Sequence, residues 1–410
     1  MKKLALICIV PAFIYAHTLQ ELLDGALSNN EIVSSKKLLQ EAGQKQLEAS
    51  QNSYFPTVDV GSSYQSLNQK TPNAPGDVYN GFVKIGLDIY DGGYKSSDIA
   101  KNKALLEASK FETSAYEKSL QLEIVQDFYN IKNTQSTIKA LEEKSLQLEA
   151  ELERIKKFYE VGSATKDEID KLQAAFSNNI YTIETSKYQL ETLKQALSIK
   201  IASEVQTLED ATITPPTTAA TEEVSDEIKA LMANVDSYEH MASSIESSYN
   251  PKFRLENTYN VYDYDRTDAT HPEGLDNQNK FLLTFSMRLY DNAVIKNQKE
   301  ATLLQKRALQ KQVEQSKKLQ NTNIKLSLMK IQTAKSQIIS AKESLESANS
   351  AYETILEKYK VGAVDNVAYL DALSTKTDAK SQYEKAQNDL QVAYATYYYY
   401  TNQNIKEYIQ

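Results

Sequence analysis

The side chains able to do chemistry are few in this 410-residue sequence, and they do not converge. His17, His240 and His271 stand isolated, with no nucleophile elbow, phosphate-binding glycine loop or paired metal-ligand spacing in the sequence. The single cysteine, Cys8, lies in an apolar N-terminal run, so an exported chain would have no disulfide and no thiol chemistry. Asp263, Asp265 and Asp268 offer carboxylates to a calcium ion, but they lack the glycine and terminal glutamate of a calcium loop and read as a solvated loop. Tyr397 to Tyr400 could stack on a ligand, yet an aromatic cluster on a C-terminal helix is more often packing. No enzyme chemistry, cofactor or metal is expected. What remains is charge, shape and surface.

Composition says which elements must hold those residues. With only 11 Gly, 8 Pro and no Trp, against abundant Lys, Glu, Gln, Ala, Ser and Leu, the chain favours long helices over compact mixed domains. A net charge of −9 without a basic tract gives no support to nucleic acid as a partner. Residues 1–16 have the parts of a cleaved signal peptide: Lys2 and Lys3, an apolar run from Leu4 to Tyr15, and Ala16 as the last residue removed. The apolar run is well short of the ~20 residues a spanning helix needs. No later stretch is long and apolar enough either, so any entry into a membrane must be made by strands.

One stretch occurs twice and organises the rest. Phe158-Tyr159-Glu160-Val161-Gly162-Ser163-Ala164-Thr165 and Lys358-Tyr359-Lys360-Val361-Gly362-Ala363-Val364-Asp365 lie 200 positions apart. Each ends a long helix on a glycine suited to the left-handed C′ position, with lysines where the helix dipole is negative. Thr165 with Glu168 has capping-box spacing and Asp365 is a ready N-cap, so a new helix starts at once. Two antiparallel helical hairpins with matching tips are predicted.

The chain in order repeats one plan. A first helix with a break runs from His17 to about Ser53, ended by Tyr54-Phe55-Pro56. Alternating residues predict strands at 57–67 and 80–90, joined by an exposed loop with Pro72 and Pro75. A helix from Tyr94 to Tyr159 carries apolar residues such as Ile124, Phe128, Ile131, Leu148, Leu152 and Ile155 at heptad-like spacing. At 1.5 Å per residue it would be on the order of 100 Å long, stable only when packed along its length. The return helix runs from Thr165 to about Glu204, and 209–223 is a polar linker. The second half repeats the order with strands at 252–264 and 280–290, and Ile324, Leu328 and Ile331 match Ile124, Phe128 and Ile131. Matching breaks, strand ends and tips mark an internal duplication, with repeats at 17–208 and 224–410.

The fold class expected is mainly α with a small β part. Four strands cannot close on themselves, since the smallest membrane barrels have about eight and lipid tolerates no open edge. Copies of the chain must pool strands: a trimer gives twelve, while a dimer or tetramer remains open by arithmetic. The alternative is a periplasmic coiled-coil scaffold or adhesin without a pore, its strands forming a small soluble sheet.

Tyr-x-Pro before a strand, Leu87-x-Ile89-Tyr90-Asp91-Gly92-Gly93 after one, and Tyr359-Lys360-Val361-Gly362 followed by Val367-x-x-Leu370-Asp371-Ala372 resemble the TolC family of outer-membrane efflux proteins. The likeness spans almost the whole chain after the leader. It implies a homotrimer whose twelve strands form one outer-membrane barrel and whose twelve long helices form a tunnel through the periplasm. It also implies a passive duct for small molecules or secreted protein, working with a periplasmic adaptor and an inner-membrane pump of RND, ABC or MFS type.

The resemblance further implies a constriction at the periplasmic end, lined from the second hairpin. Asp371 matches one of the family's acidic positions, and Ala368 stands where a second acid is usual. The latching tyrosine is matched by Tyr359, but Val364 replaces the latching arginine, so other contacts must serve, with Tyr159, Asp167 and Glu168 as candidates. Asp371 forms either a cation-attracting ring or an ordinary helix carboxylate paired with Lys171. Glu168 and Asp365 read first as caps. Val161, Gly162, Val361 and Gly362 are the tip residues that would meet the adaptor.

Overall fold

The computed structural model describes residues 16–69, 76–216, 223–264 and 275–410. The leader with Cys8, loop residues Pro72 and Pro75, linker residues Thr217 and Thr218, and Asp265, Asp268 and His271 lie outside the described residues. The element order is β1 (Ala16–His17), α1 (Leu19–Asn29), α2 (Glu31–Asn52), β2 (Thr57–Ser66), β3 (Asp77–Tyr90), α3 (Tyr94–Glu160), α4 (Lys166–Ile201), β4 (Thr207–Leu208), α5 (Asp226–Glu246), β5 (Lys252–Tyr264), β6 (Asn277–Ser286), α6 (Val294–Lys360) and α7 (Asn366–Tyr400). Helices α3 and α6 each have 67 residues and keep the offset of the duplication at both ends. The break in the first helix is Asn30, whose side-chain oxygen accepts from the Ile32 and Val33 amides and caps α2.

Two compact units emerge, and neither coincides with a repeat. One comprises the segment ending at Ser35, Thr113–Asp226 and Lys317–Gln410; the other comprises Lys36–Glu112 and Glu227–Ser316. The division instead cuts across α3 between Glu112 and Thr113 and across α6 between Ser316 and Lys317, so each unit takes a part of both repeats.

The first unit is helical. Its main core joins Leu19, Leu22 and Leu23 of α1 to Ile124, Phe128 and Ile131 of α3, Leu197 and Ile201 of α4, Ile324 of α6, and Tyr394, Tyr397 and Tyr398 of α7. Tyr397 and Tyr398 are therefore packing residues, and Tyr398 stacks on Tyr408 with ring centroids 3.8 Å apart. Asp226 anchors the same unit: it pairs with Lys118 at 2.8 Å, accepts from Ser114 at 2.6 Å, and exchanges hydrogen bonds with Asn402. These partners, Lys118 and Ser114 foremost, outweigh the cost of burial and hold its carboxyl down at about 2.

The second unit carries an antiparallel sheet of order β2-β3-β5-β6. Its register puts Val58 opposite Ile85, Ile85 opposite Asn257 and Asn257 opposite Phe281. One face thus gathers Val58, Val60, Val83, Ile85, Leu255, Phe253, Phe281, Leu283 and Phe285, and the other gathers Asp59, Lys84, Asp88, Arg254, Glu256 and Thr258. Most of the apolar face is exposed, from 37% at Phe253 to 78% at Val60, so this oily surface has no cover among the described residues. The last strand is a correction to the sequence reading: it ends at Ser286, not at 290. Ser286 pairs with Lys252, the first residue of β5, and Pro251 before it cannot donate to a ladder. Strand β3, by contrast, reaches Tyr90 across a register shift beside Phe253.

The strand-to-helix corners repeat with different residues. Asn292 and Ala293 take positive φ (56° and 64°) where the first copy has Gly92 and Gly93 (80° and 91°). The same backbone turn is thus made with and without glycine.

Candidate functional site

The candidate site is built where the two hairpins of the first unit turn. Glu160 and Lys360 end α3 and α6, and both helices close the same way. The Ser163 amide donates to the Phe158 carbonyl at 2.7 Å and Gly162 to Tyr159 at 3.0 Å; Ala363 donates to Lys358 at 2.8 Å and Gly362 to Tyr359 at 3.0 Å. This is the paired 6→1 and 5→2 bonding that satisfies the last carbonyls of a helix, and it requires the positive φ found at Gly162 (75°) and Gly362 (73°). Both glycines sit in open space, and Val161 and Val361 beside them are 74% and 78% exposed.

The return helices start on different caps. Thr165 and Glu168 form a reciprocal capping box, the Thr165 amide donating to Glu168 Oε2 at 2.8 Å. Asp365 caps α7 alone, accepting from the Ala368 amide at 3.0 Å. The buried Asn366 ties the two starts together by donating to the Glu168 carbonyl at 3.4 Å. Asp167 pairs with Lys171 at 2.7 Å, a contact that raises the lysine's pKa. Lys171 is thus engaged within its own helix rather than with Asp371, which is exposed.

The two tip tyrosines part company. Tyr159 is 47% exposed, whereas Tyr359 is 6% exposed in a second core with Leu148, Leu152, Ile155, Leu172, Tyr352, Tyr369 and Leu373. Tyr359 stacks on Tyr369 with centroids 5.0 Å apart and planes at 14°. On α3, Arg154 lies over the Tyr359 ring at 4.9 Å and over Phe158 at 5.1 Å, while Glu151 fixes its guanidinium with bonds of 2.6–3.0 Å. The hydrogen bonds that Arg154 donates to Glu151 raise the guanidinium's pKa, and burial raises the pKa of Tyr352, Tyr359 and Tyr369. The Tyr359 hydroxyl is buried and makes no hydrogen bond among the described residues.

Of the sequence-predicted residues, Tyr359 joins the buried clamp, Asp167 and Glu168 serve ion-pair and capping roles, and Tyr159 and Asp371 face outward. Sequence reasoning missed Glu151, Arg154 and Tyr369. The signal was present in the i, i+3 spacing of Glu151 and Arg154, which places both on one helix face one turn before Phe158. Arg154, on the first hairpin, places a guanidinium against the Tyr359 ring. The arrangement can hold tips together or let them part; it positions no nucleophile or general base. Among the described residues there is no cluster suited to a metal.

The sequence matches the profile of the outer membrane efflux protein family over residues 22–200 and 220–403. No curated protein matches it. Among solved structures, the fold is similar to the Campylobacter jejuni CmeC outer membrane channel (TM-score 0.83, 17% identity, covering 94% of this chain and 85% of that one). It is also similar to the outer membrane protein VceC of Vibrio cholerae (TM-score 0.81, 11% identity, 94% and 96% covered) and to a membrane protein of Pseudomonas aeruginosa (TM-score 0.80, 14% identity, 93% of each chain).

Proposed function

The chain belongs to the outer membrane efflux protein family, and from that premise we infer that three copies close one barrel and serve as the passive exit duct of a tripartite efflux pump or type I secretion system. The observation that carries this reading is a sheet with two outer strands, β2 and β6, and one exposed apolar face. An unpaired edge in lipid leaves amides and carbonyls without partners, at several kcal/mol each. Strand direction alternates across β2-β3-β5-β6, so β6 of one copy meets β2 of the next in antiparallel fashion. Three copies related by rotation give twelve strands and no edge. The apolar face then meets lipid and the polar face lines the bore. A scaffold without a pore has no use for an uncovered oily sheet.

At the tips, Asp371 from three copies forms a ring that attracts cations, and Tyr359, held by Arg154, keeps the second hairpin against the first. Val161, Gly162, Val361 and Gly362 meet a periplasmic adaptor, and an inner-membrane pump of RND, ABC or MFS type supplies the energy. The duct binds no nucleotide and catalyses nothing. Residues 1–16 direct export and are removed.

Planar bilayer recording tests this reading. Protein extracted from the outer-membrane fraction is expected to give unitary conductance steps with cation preference, and Asp371→Ala to lose that preference and its block by multivalent cations. A preparation that never conducts contradicts the duct; unchanged selectivity in the variant removes the acidic ring.

A further inference from the structure

The two β-hairpins are copies down to their registers. Pro251 follows Pro56 by 195 positions and Leu289 follows Ile89 by 200. The same two offsets carry the pairs Thr57–Gly86 and Ser66–Asp77 of the first hairpin onto Lys252–Ser286 and Val261–Asn277 of the second. The seam between the hairpins, β3 against β5, is therefore a template for the other seam, where β6 of one copy meets β2 of the next. Carried across by those offsets, Val83 opposite Tyr259 becomes Leu283 opposite Tyr64 of the next copy, and Leu87 opposite Leu255 becomes Met287 opposite Val60. Apolar residues again meet apolar residues.

The charged pair of the template returns with its signs exchanged. Within the chain, Asp88 lies opposite Arg254, bonds to it at 2.9 Å and pairs with Lys95 at 3.0 Å, so one carboxylate sits between two cations. Across the other seam the same positions hold Arg288 and Asp59. Asp59 stands on the outer strand β2 with Lys84 on its inner side at 3.9 Å, and Arg288 is exposed. Strand lengths agree with this assignment. Pairing of β3 with β2 ends at Gly86, yet β3 continues to Tyr90 because β5 runs beside it. Strand β6 stops at Ser286, where its pairing with β5 ends, because its other side is the edge of the sheet.

We propose that Arg288 of one copy and Asp59 of the next form an ion pair that fixes the register of the seam between copies and extends β6 towards Tyr290. The proposal rests on the reading that copies of the chain share one barrel. The exchanged signs also direct each edge to its proper neighbour. Were β6 to lie against β5 of another copy in the template register, Arg288 would face Arg254; were β3 to lie against a foreign β2, Asp88 would face Asp59. Like charges directly opposite one another destabilise a strand pair, so an incomplete ring disfavours both mistakes.

The test is disulfide formation in the outer-membrane fraction. Directly opposite residues of antiparallel strands have Cα atoms about 4.5–5.5 Å apart, within reach of a disulfide. Asp59→Cys with Arg288→Cys is expected to give cross-linked dimers and trimers, whereas Asp59→Cys with Thr284→Cys, out of register, stays as single chains. A double-mutant cycle then reads the ion pair. Arg288→Gln and Asp59→Asn should each lower the temperature at which the detergent-extracted assembly dissociates by about 2 °C or more, and together cost no more than the larger single loss. An assembly that cross-links at 284 rather than 288, or at neither, overturns the register; additive losses, or no loss from either substitution, overturn the ion pair. Each of these leaves the duct intact. An unsubstituted chain that extracts as a monomer contradicts the duct reading instead.

Discussion

The two hairpin tips share a backbone and differ in nearly everything attached to it. Gly162 and Gly362 have φ within 2° of each other, and the helix-ending hydrogen bonds agree to within about 0.1 Å. Yet Tyr159 lies in solvent, while Tyr359, its duplicate, is enclosed by Arg154, Tyr352 and Tyr369. The first tip spends its polar groups on itself, in the Thr165–Glu168 box and the Asp167–Lys171 pair. The second tip is held by the first. Turn geometry survived duplication because few backbones stop one helix and start another in so few residues.

Substitution at the duplicated tyrosines should break the comparison most sharply. Tyr359→Ala removes a buried aromatic ring and is expected to cost about 3 kcal/mol of local stability, in the range of large-to-small aromatic changes. Tyr159→Ala should stay within about 0.5 kcal/mol. Native-state hydrogen exchange at α6 and α7 near Gly362 measures both, and equal losses would show that Tyr359 is not the clamp. Next in size, Arg154→Ala leaves Glu151 buried without its partner and should cost about 2–3 kcal/mol at the same amides. Replacing both, as Glu151→Leu with Arg154→Met, should recover most of that loss.

Where the tips agree, variants should agree too. Gly162→Ala and Gly362→Ala each force a Cβ into the left-handed region and should each cost about 1 kcal/mol, since nothing else crowds either site. Unequal costs in exchange or melting experiments would mean the two turns are less alike than their bonding indicates.

The smallest expected effect is a response to alkali. Tyr352, Tyr359 and Tyr369 have pKa values raised in the folded state, so the stability gained by keeping them neutral is present below about pH 10 and fades as pH climbs above it towards the folded values. Spin labels at Ala363→Cys and Ser163→Cys report each tip separately. The label at 363 should gain mobility from pH 9 to 12 more than the label at 163, and parallel responses would contradict the asymmetry.

Much of this architecture was legible beforehand. Proline breaks, period-two segments, heptads and the Val-Gly tips located the helices and strands because each is a local physical constraint. The end of β6 was not legible, because it depends on where the neighbouring strand begins rather than on Met287, Leu289 or Tyr290 themselves. The division into two units was hidden because its boundaries fall inside α3 and α6, where no local break in the helical pattern marks them. At the tips the caps could be read from spacing. The contact of Arg154 with Tyr359 could not, since it joins residues about 200 positions apart.

Assembly is the claim on which every functional statement depends, and the mass of the protein extracted in mild detergent tests it most directly. The account predicts a particle of three chains that needs detergent to stay in solution. A particle of one chain, dispersed in buffer alone, would contradict it.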